Sequence, residues 1–266
     1  MTTTPTSTQD DTRILYNKVP LVTLFFWVIK IMATTVGETA ADWLIQHTSL
    51  TLVSTLWLSV AVLGVMLLFQ FRAHRYVPVW YWSTVVVISI VGTLITDYLT
   101  DVMGLSLWVS SAAFTALLAV VFAVWHRQER TLSIHSIVTP KREAFYWLAI
   151  LCTFALGTAA GDLLAEKVNL GYLTSGLLFG VAIAAVAVAW RVLEVSAVLT
   201  FWIAYILTRP MGASIGDYLS QPHKHGGLAL GTTRTSEIFL AAILVLVVYL
   251  TVSKRDIDVV EVEPAP

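Results

Sequence analysis

Charged side chains are scarce in this chain of 266 residues, because Asp, Glu, Lys and Arg together make up only 12% of it. Soluble domains carry about 25% of these residues, so the composition argues against a protein that folds in water. The single cysteine, Cys152, excludes a disulfide within the chain. The sequence also has no basic patch that could bind nucleic acid, and no nucleic-acid partner is expected.

Motifs of known chemistry are missing as well. The sequence has no phosphate-binding glycine loop, no zinc-protease helix and no nucleophile elbow. It lacks a recognisable pair of a nucleophile and a base. We therefore expect that the protein is not an enzyme and binds no cofactor.

Long apolar stretches dominate instead. Hydrophobic residues account for 57% of the chain, and the mean hydropathy is +0.78. A helix needs about 20 mostly apolar residues to cross a bilayer. Stretches of suitable length cover residues 20–46, 50–71, 78–100, 105–125, 143–165, 170–190, 195–220 and 232–253. The sequence therefore predicts an all-α, polytopic protein of eight transmembrane helices in contact with the lipid bilayer.

One motif occurs four times at a fixed spacing. An aromatic residue and a Trp are followed by a Gly ten positions after the Trp, an Asp five positions later and a Leu two positions beyond. The copies begin at Phe26-Trp27, Tyr81-Trp82, Tyr146-Trp147 and Phe201-Trp202. Each copy covers one Asp-bearing helix, called here the motif helix, and one plainer return helix. We predict four parallel helical-hairpin repeats in two pseudo-symmetric halves.

The repeat spacing predicts the domain boundaries. The motif Asp residues are separated by 55, 65 and 55 residues, which places an insertion between repeats 2 and 3. The predicted units are a first half (18–126, repeats 1 and 2), a linker (127–142), a second half (143–253, repeats 3 and 4) and polar tails (1–17 and 254–266). Lys and Arg cluster on the side of both termini and the linker, so the positive-inside rule predicts that these are cytoplasmic. The Asp motifs then lie toward the outer face, and the motif Trp residues fit an aromatic belt at the interface.

Small residues four positions apart accompany every motif Asp. The pairs are Gly37/Ala41, Gly92/Thr96, Gly157/Gly161 and Gly212/Gly216. Such pairs let helices in lipid approach closely, so they predict tight helix contacts. The Asp lies about 100° around the helix from this seam and should face a crevice beside it.

Carboxylates in apolar helices are costly, and this chain gathers them near the outer ends of its motif helices. Each motif Asp is followed four positions later by a carboxylate or an amide, namely Gln46, Asp101, Glu166 or Gln221. The return helices carry Thr55, Ser110 and Ser175 at matching positions, and a correction of about seven residues for a longer fourth turn places Glu237 there. The predicted metal ligands are Glu38, Asp42, Asp97, Asp162, Asp217 and Glu237.

Carboxylates that share one small cavity repel each other unless a cation or protons neutralise them. Oxygen-only ligands suit hard cations such as Mg²⁺, Ca²⁺ and Mn²⁺. The pattern therefore predicts a cation site in an outward-facing cavity. In the alternative interpretation, the repeated Asp residues are structural, because they cap helix ends or pair with neighbouring bases.

Two basic residues, Lys30 and Arg209, lie deeper in the motif helices. Buried cations in a membrane need partners, and Glu38 lies at a depth comparable to that of Arg209, so the sequence allows an ion pair between them. One interpretation makes Lys30 or Arg209 an internal counter-ion on a substrate pathway that also includes Asp101 and Glu166. In the other, both bases only neutralise carboxylates.

The run Lys18-Val19-Pro20-Leu21-Val22-Thr23, followed by Phe26-Trp27, Lys30 and the stretch from Thr34 to Asp42, resembles a bacterial family described as membrane-anchored proteins. The stretch Thr34-Thr35-Val36-Gly37-Glu38-Thr39 is the most specific part of the resemblance, which extends from residue 18 to about 253. The resemblance implies a multi-pass protein of the bacterial inner (plasma) membrane and no defined activity.

Two functions from different classes fit these features. The first is a carrier or exporter of a small cation, such as the divalent metal Mn²⁺, because repeated halves, small-residue seams and intramembrane carboxylates suit alternating access. The second is a membrane scaffold or ion sensor that transports nothing. Short loops favour the carrier, since a scaffold usually exposes a larger docking surface.

Overall fold

A computed structural model describes residues 13–257 and 259–262. In these ranges the chain forms eight long helices, each long and apolar enough to cross a membrane. They are α1 (Leu24–His47), α2 (Leu52–Arg72), α3 (Pro78–Asp97), α4 (Leu107–Glu129), α5 (Pro140–Asp162), α6 (Tyr172–Val192), α7 (Ala197–Ser220) and α8 (Thr232–Ser253). The prediction of an all-helical, polytopic membrane protein with four repeats is confirmed.

Local sequence defines several helix ends. Thr51 and Ser106 accept hydrogen bonds from backbone N–H groups in the first turns of α2 and α4, which satisfies donors that have no partner within the helix. Pro78 and Pro140 occupy the first positions of α3 and α5, where a missing N–H costs nothing. Beyond their last residues, α3 and α5 continue into π-helical turns at Tyr98–Val102 and Leu163–Lys167.

The motif helices α1, α3, α5 and α7 form a closed ring. Each packs against the next in this order, and α7 packs against α1. The return helices lie outside the ring, with α2 against α3, α4 against α5, α6 against α7 and α8 against α1. Each return helix therefore packs mainly on the motif helix of the following repeat and not on the helix that precedes it in sequence.

Burial separates the inner ring from the outer helices. In the most apolar 18-residue stretch of each helix, 61% to 67% of residues are buried in the motif helices, against 17% to 28% in the return helices. Because the motif helices also carry the repeated Asp residues, the ring shields these polar side chains while the return helices present apolar side chains to lipid.

The chain ends meet beside the helices. Strand β1 (Arg13–Tyr16) pairs antiparallel with β2 (Val259–Val262). Both strands fall in the segments predicted as polar tails, of which residues 1–12, 258 and 263–266 lie outside the described residues. In the predicted linker, a 3₁₀ turn at Ile134–Ser136 lies between α4 and α5, and the N–H of Lys18 donates to the carbonyl of Ile137.

Candidate functional site

The four motif glycines make equivalent contacts between consecutive motif helices of the ring. Each faces the residue three positions before the motif glycine of the next repeat. The facing pairs are Gly37 with Ser89, Gly92 with Phe154, Gly157 with Arg209, and Gly212 with Thr34. A Cβ atom on any of these glycines would lie only 2.5 to 2.7 Å from the Cβ of its partner. The predicted tight seams are therefore present, and they join consecutive motif helices around the ring.

Residues four positions apart along each motif helix stack into layers inside the ring. The aromatic layer contains Phe26, Tyr81, Tyr146 and Phe201. The lysine layer contains Lys30, Val85, Ile150 and Tyr205. The arginine layer contains Thr34, Ser89, Phe154 and Arg209. The glutamate layer contains Glu38, Thr93, Thr158 and Ala213, and the aspartate layer contains Asp42, Asp97, Asp162 and Asp217. Every residue of the three middle layers is at most 6% exposed.

The aromatic layer closes one end of the ring, called here the aromatic end. Each of its rings contacts the motif Trp of the next repeat, at centroid distances of 5.5 to 6.2 Å. The hydroxyls of Tyr81 and Tyr146 share a hydrogen bond of 2.5 Å. Trp82, Trp147 and Trp202 are buried in these contacts. The structure therefore corrects the prediction of an interface belt for these three Trp residues, because they pack between helices, whereas Trp27 is half-buried against Phe201.

Arg209 lies at the centre of the ring and contacts all three other motif helices. Its guanidinium donates to Glu38 at 3.0 Å and to the carbonyl of Thr34 at 3.2 Å on α1. It also donates to the hydroxyl of Thr158 on α5 at 2.7 Å and to that of Thr93 on α3. The expected ion pair between Glu38 and Arg209 is present, and both partners are buried.

Carboxylates converge at the opposite, acidic end. One carboxylate oxygen from each of Glu38, Asp162 and Asp217 lies within 4.8 Å of the others, which is close enough for all three to share one metal ion. Asp42 and Asp97 occupy the other two positions of the aspartate layer. The structure thus brings three of the predicted ligands together, and the assignment of these carboxylates as metal ligands stays a prediction.

A family comparison assigns the repeats. A family model described as Repeat of Unknown Function (DUF347) matches the chain four times, over residues 25–76, 80–131, 145–196 and 200–256. The chain belongs to the DUF347 family. Each DUF347 unit covers one motif helix and its return helix, so the closed ring contains four units. No curated protein and no solved structure matches the chain.

The return helices of the four DUF347 units can be aligned by their N-caps, and this alignment corrects one predicted ligand. Thr55, Ser110 and Ser175 each lie four residues after the N-cap of their return helix and are buried. The residue at this position in α8 is Thr235, because its N-cap is Gly231. Glu237 is exposed and lies outside the carboxylate cluster. The error arose from an overestimated length of the fourth turn.

The remaining predicted pathway residues lie in different surroundings. Asp101 and Glu166 are exposed beyond the aspartate layer, and Glu166 accepts a hydrogen bond from Tyr172 at 3.5 Å. Gln221 donates to Asp42 at 3.4 Å. Lys30 is buried between the rings of Phe154 and Tyr205, with its Nζ atom 4.3 and 4.1 Å from their centroids.

Several functional positions were missed by sequence reasoning. Thr93 and Thr158 bind Arg209, and Phe154 lies against both Lys30 and Arg209. The helical spacing could have identified them, since these residues lie four or eight positions before a motif Asp. The motif, however, was defined only by the residues that are identical in all four repeats. The sequence indicated a polar stripe that includes Thr93 and Thr158, one turn before the motif Asp, but it did not indicate their contact with Arg209.

Proposed function

We propose that the protein is a membrane carrier that exports a small cation, a divalent metal such as Mn²⁺, through the acidic end of the ring. The observation that carries this proposal is the meeting of Glu38, Asp162 and Asp217 within 4.8 Å. Oxygen donors of this kind suit hard divalent cations.

The charge balance of the site supports a cation as the ligand. The glutamate and aspartate layers hold five carboxylates, whereas the described layers of the ring hold only two bases, Lys30 and Arg209. Arg209 pairs with Glu38, and Lys30 lies one layer further from the aspartates than Arg209. A bound divalent ion would offset the repulsion that remains among the carboxylates.

Arg209 supplies an internal counter-ion for a vacant site. It forms an ion pair with Glu38 and spans the ring, so it separates the carboxylates of the acidic end from the lysine and aromatic layers. An arriving divalent cation competes with the guanidinium for Glu38. Binding of the cation would release Arg209 from α1, and this release provides a physical link between occupancy and the packing of the ring.

The ring architecture suits alternating access. Parallel repeats related by an axis along the membrane normal occur in carriers whose units rock against each other. Here the glycine seams permit close approach of consecutive motif helices, and the aromatic layer closes one end. Both termini and the aromatic end lie on the cytoplasmic side of a bacterial inner membrane in this proposal. The acidic end therefore opens to the outer side.

Cation flux in proteoliposomes tests the proposal. The panel is Mn²⁺, Mg²⁺ and Ca²⁺, and the variants are Asp162→Asn and Asp217→Asn. Each variant keeps side-chain size but removes a charge, so flux should fall by about tenfold or more while thermal stability stays nearly unchanged, because lost repulsion offsets the lost ligand. Asp101→Asn, exposed beyond the site, is the matched control and should retain flux.

Two results would contradict the carrier. Normal flux with lowered stability in Asp217→Asn would assign the repeated Asp residues a structural role. No flux of any tested cation through the unmutated protein, combined with calorimetric binding of a cation that Asp217→Asn abolishes, would favour an ion sensor or scaffold. The proposal also treats the protein as a non-enzyme, with the cation as cargo.

A further inference from the structure

Lys30 is a buried base with no anionic partner. The residue is only 1% exposed, and its Nζ atom has no hydrogen bond or ion pair among the described residues. The faces of Phe154 and Tyr205 enclose it, and ring faces attract an ammonium group. A membrane interior rarely holds a lysine in this way unless the lysine has a function.

A row of tyrosine hydroxyls leads from Lys30 toward the aromatic end. Tyr205 lies in the lysine layer, and its buried hydroxyl has no hydrogen-bond partner among the described residues. Tyr146 and Tyr81 follow in the aromatic layer, joined by their 2.5 Å hydrogen bond. The ring of Tyr205 packs against the aromatic layer, with centroid distances of 6.3 Å to Phe26 and 5.5 Å to Phe201.

The row ends at an acid beyond the helices. The ring of Tyr76, in the loop between α2 and α3, packs edge-on against Tyr81 at 5.6 Å. Its hydroxyl accepts a hydrogen bond from Trp82 at 3.1 Å and donates to Asp256 at 2.6 Å. Asp256 follows α8 and is buried. Ionisable hydroxyls thus extend from the middle of the ring to the aromatic end.

We propose that Lys30 and the hydroxyls of Tyr205, Tyr146, Tyr81 and Tyr76 conduct protons between the centre of the ring and Asp256, and that this path couples cation export to proton entry. This inference rests on the proposed function and deepens it, since it names the coupling ion. The row lies on the opposite side of Arg209 from the carboxylates, so cation and proton use different parts of one ring.

Each proton transfer along the row conserves atoms and charge. The Lys30 amine accepts a proton to become an ammonium, and the ring faces of Phe154 and Tyr205 stabilise it. A tyrosine hydroxyl accepts one proton on its oxygen while it donates its own proton to the next group. Asp256 receives the proton and releases it to water. No group is oxidised or reduced, and no co-reactant is required.

The groups around Lys30 suit this role. Lys30 and Arg209 of α7 both lie against the ring of Phe154, at 4.3 and 5.6 Å from its centroid, so an ammonium at Lys30 and the guanidinium disfavour each other. Tyr205 of α7, Tyr81 of α3 and Tyr146 of α5 are the titratable groups toward the aromatic end, and Tyr249 of α8 lies outside the row against Phe25. Toward the carboxylates, Ser89 has a buried hydroxyl with no hydrogen-bond partner among the described residues.

The release of Arg209 provides a coupling step. When a cation takes Glu38 from Arg209, the guanidinium is no longer neutralised, and its repulsion of a protonated Lys30 grows. Cation binding therefore favours loss of the proton from Lys30, and protonation of Lys30 favours the ion pair of Arg209 with Glu38. Mutual exclusion of cation and proton is the requirement for exchange between them.

The experiment measures Mn²⁺ flux and lumenal pH together in proteoliposomes of the full chain. Outward movement of Mn²⁺ through the unmutated protein should acidify the compartment that it leaves. Lys30→Met should lower this proton flux by about tenfold or more, while exchange of radiolabelled Mn²⁺ across the membrane at equal concentrations persists. Tyr146→Phe and Tyr205→Phe, which keep the rings, should each lower proton flux. Tyr249→Phe, outside the row, is the matched control.

The outcomes separate this inference from the proposed function. If the unmutated protein moves Mn²⁺ without protons, or if Tyr146→Phe and Tyr205→Phe leave proton flux unchanged, the proton path is overturned and the carrier stands. If the unmutated protein neither transports nor exchanges any tested cation, the carrier itself is overturned. The Tyr→Phe variants remove one atom each, so they decide the question even if Lys30→Met fails to fold.

Discussion

At each end of the inner ring, the four repeats contribute residues from equivalent positions of the motif. The two ends differ in how many of their polar and charged side chains have a partner. At the aromatic end, each ring contacts the Trp of the next unit and Tyr81 bonds Tyr146. At the acidic end, three carboxylates approach within 4.8 Å of each other, and among the described residues Arg209 is the one base that forms an ion pair with any of them. One symmetric scaffold thus has close aromatic packing at one end and clustered carboxylates at the other, and the end with the carboxylates is the one suited to a ligand.

The arginine layer, which lies between the two ends, shows how the four repeats depart from symmetry. Its first two members, Thr34 and Ser89, are small, whereas Phe154 and Arg209 are large. All four face a motif glycine of the preceding unit, so the frame accommodates either size without changing the helix spacing. The two halves therefore share a backbone arrangement but contribute different chemistry to the centre.

Replacing Arg209 by Met should produce the largest loss of stability. The change leaves Glu38 buried and unpaired beside the aspartates and removes hydrogen bonds to three helices, at a cost of about 3–5 kcal/mol. Thermal unfolding in detergent measures it. Adding Glu38→Gln to Arg209→Met should recover much of the loss, and no recovery would show that the ion pair does not hold the acidic end together.

Trp82→Ala tests the satisfied end. The side chain is 1% exposed and contacts Phe26, so truncation should cost about 3–5 kcal/mol. Trp57→Ala is the control, because Trp57 is 67% exposed on α2 and should matter little. Equal unfolding temperatures for the two variants would contradict the view that the aromatic end carries the packing.

Gly92→Ala tests the seam that joins both ends. The new Cβ would lie 2.6 Å from the Cβ of Phe154, so the helices must separate, at a cost of about 1–3 kcal/mol. Gly64→Ala on α2 meets no atom within 4 Å and should be neutral or stabilising. If both variants unfold at the same temperature, the seam can accommodate a larger side chain than the ring geometry implies.

Asp256→Asn should give the smallest effect, and one that depends on pH. Burial raises the pKa of Asp256, and the hydrogen bond from Tyr76 opposes the rise. The folded protein therefore binds this proton more tightly than the unfolded chain, and stability falls as the pH rises from about 4 through the raised pKa. Unfolding temperatures of protein and variant should diverge across this range, while parallel curves would show that Asp256 does not titrate there.

The sequence supplied the repeat, the eight spans and the residues of the acidic end, because identical residues at one spacing must occupy equivalent places. It also allowed the pairing of Glu38 with Arg209, since their depths in the helices are comparable. It did not reveal that return helices pack on the next unit, because a short turn between two helices is compatible with either partner. The position of Glu237 depended on a loop length that no periodic pattern defines.

The closed ring also makes the covalent order of its units partly arbitrary. Unit 4 contacts unit 1 through the same seam that joins the other units, and pairing of β1 with β2 brings residues 13 and 262 beside each other. A chain cut between α4 and α5, with its present ends joined, would contain every unit beside the same neighbours. The ring is therefore suited to circular permutation, and α1 reaches its complete set of neighbours only when the last two helices have been synthesised.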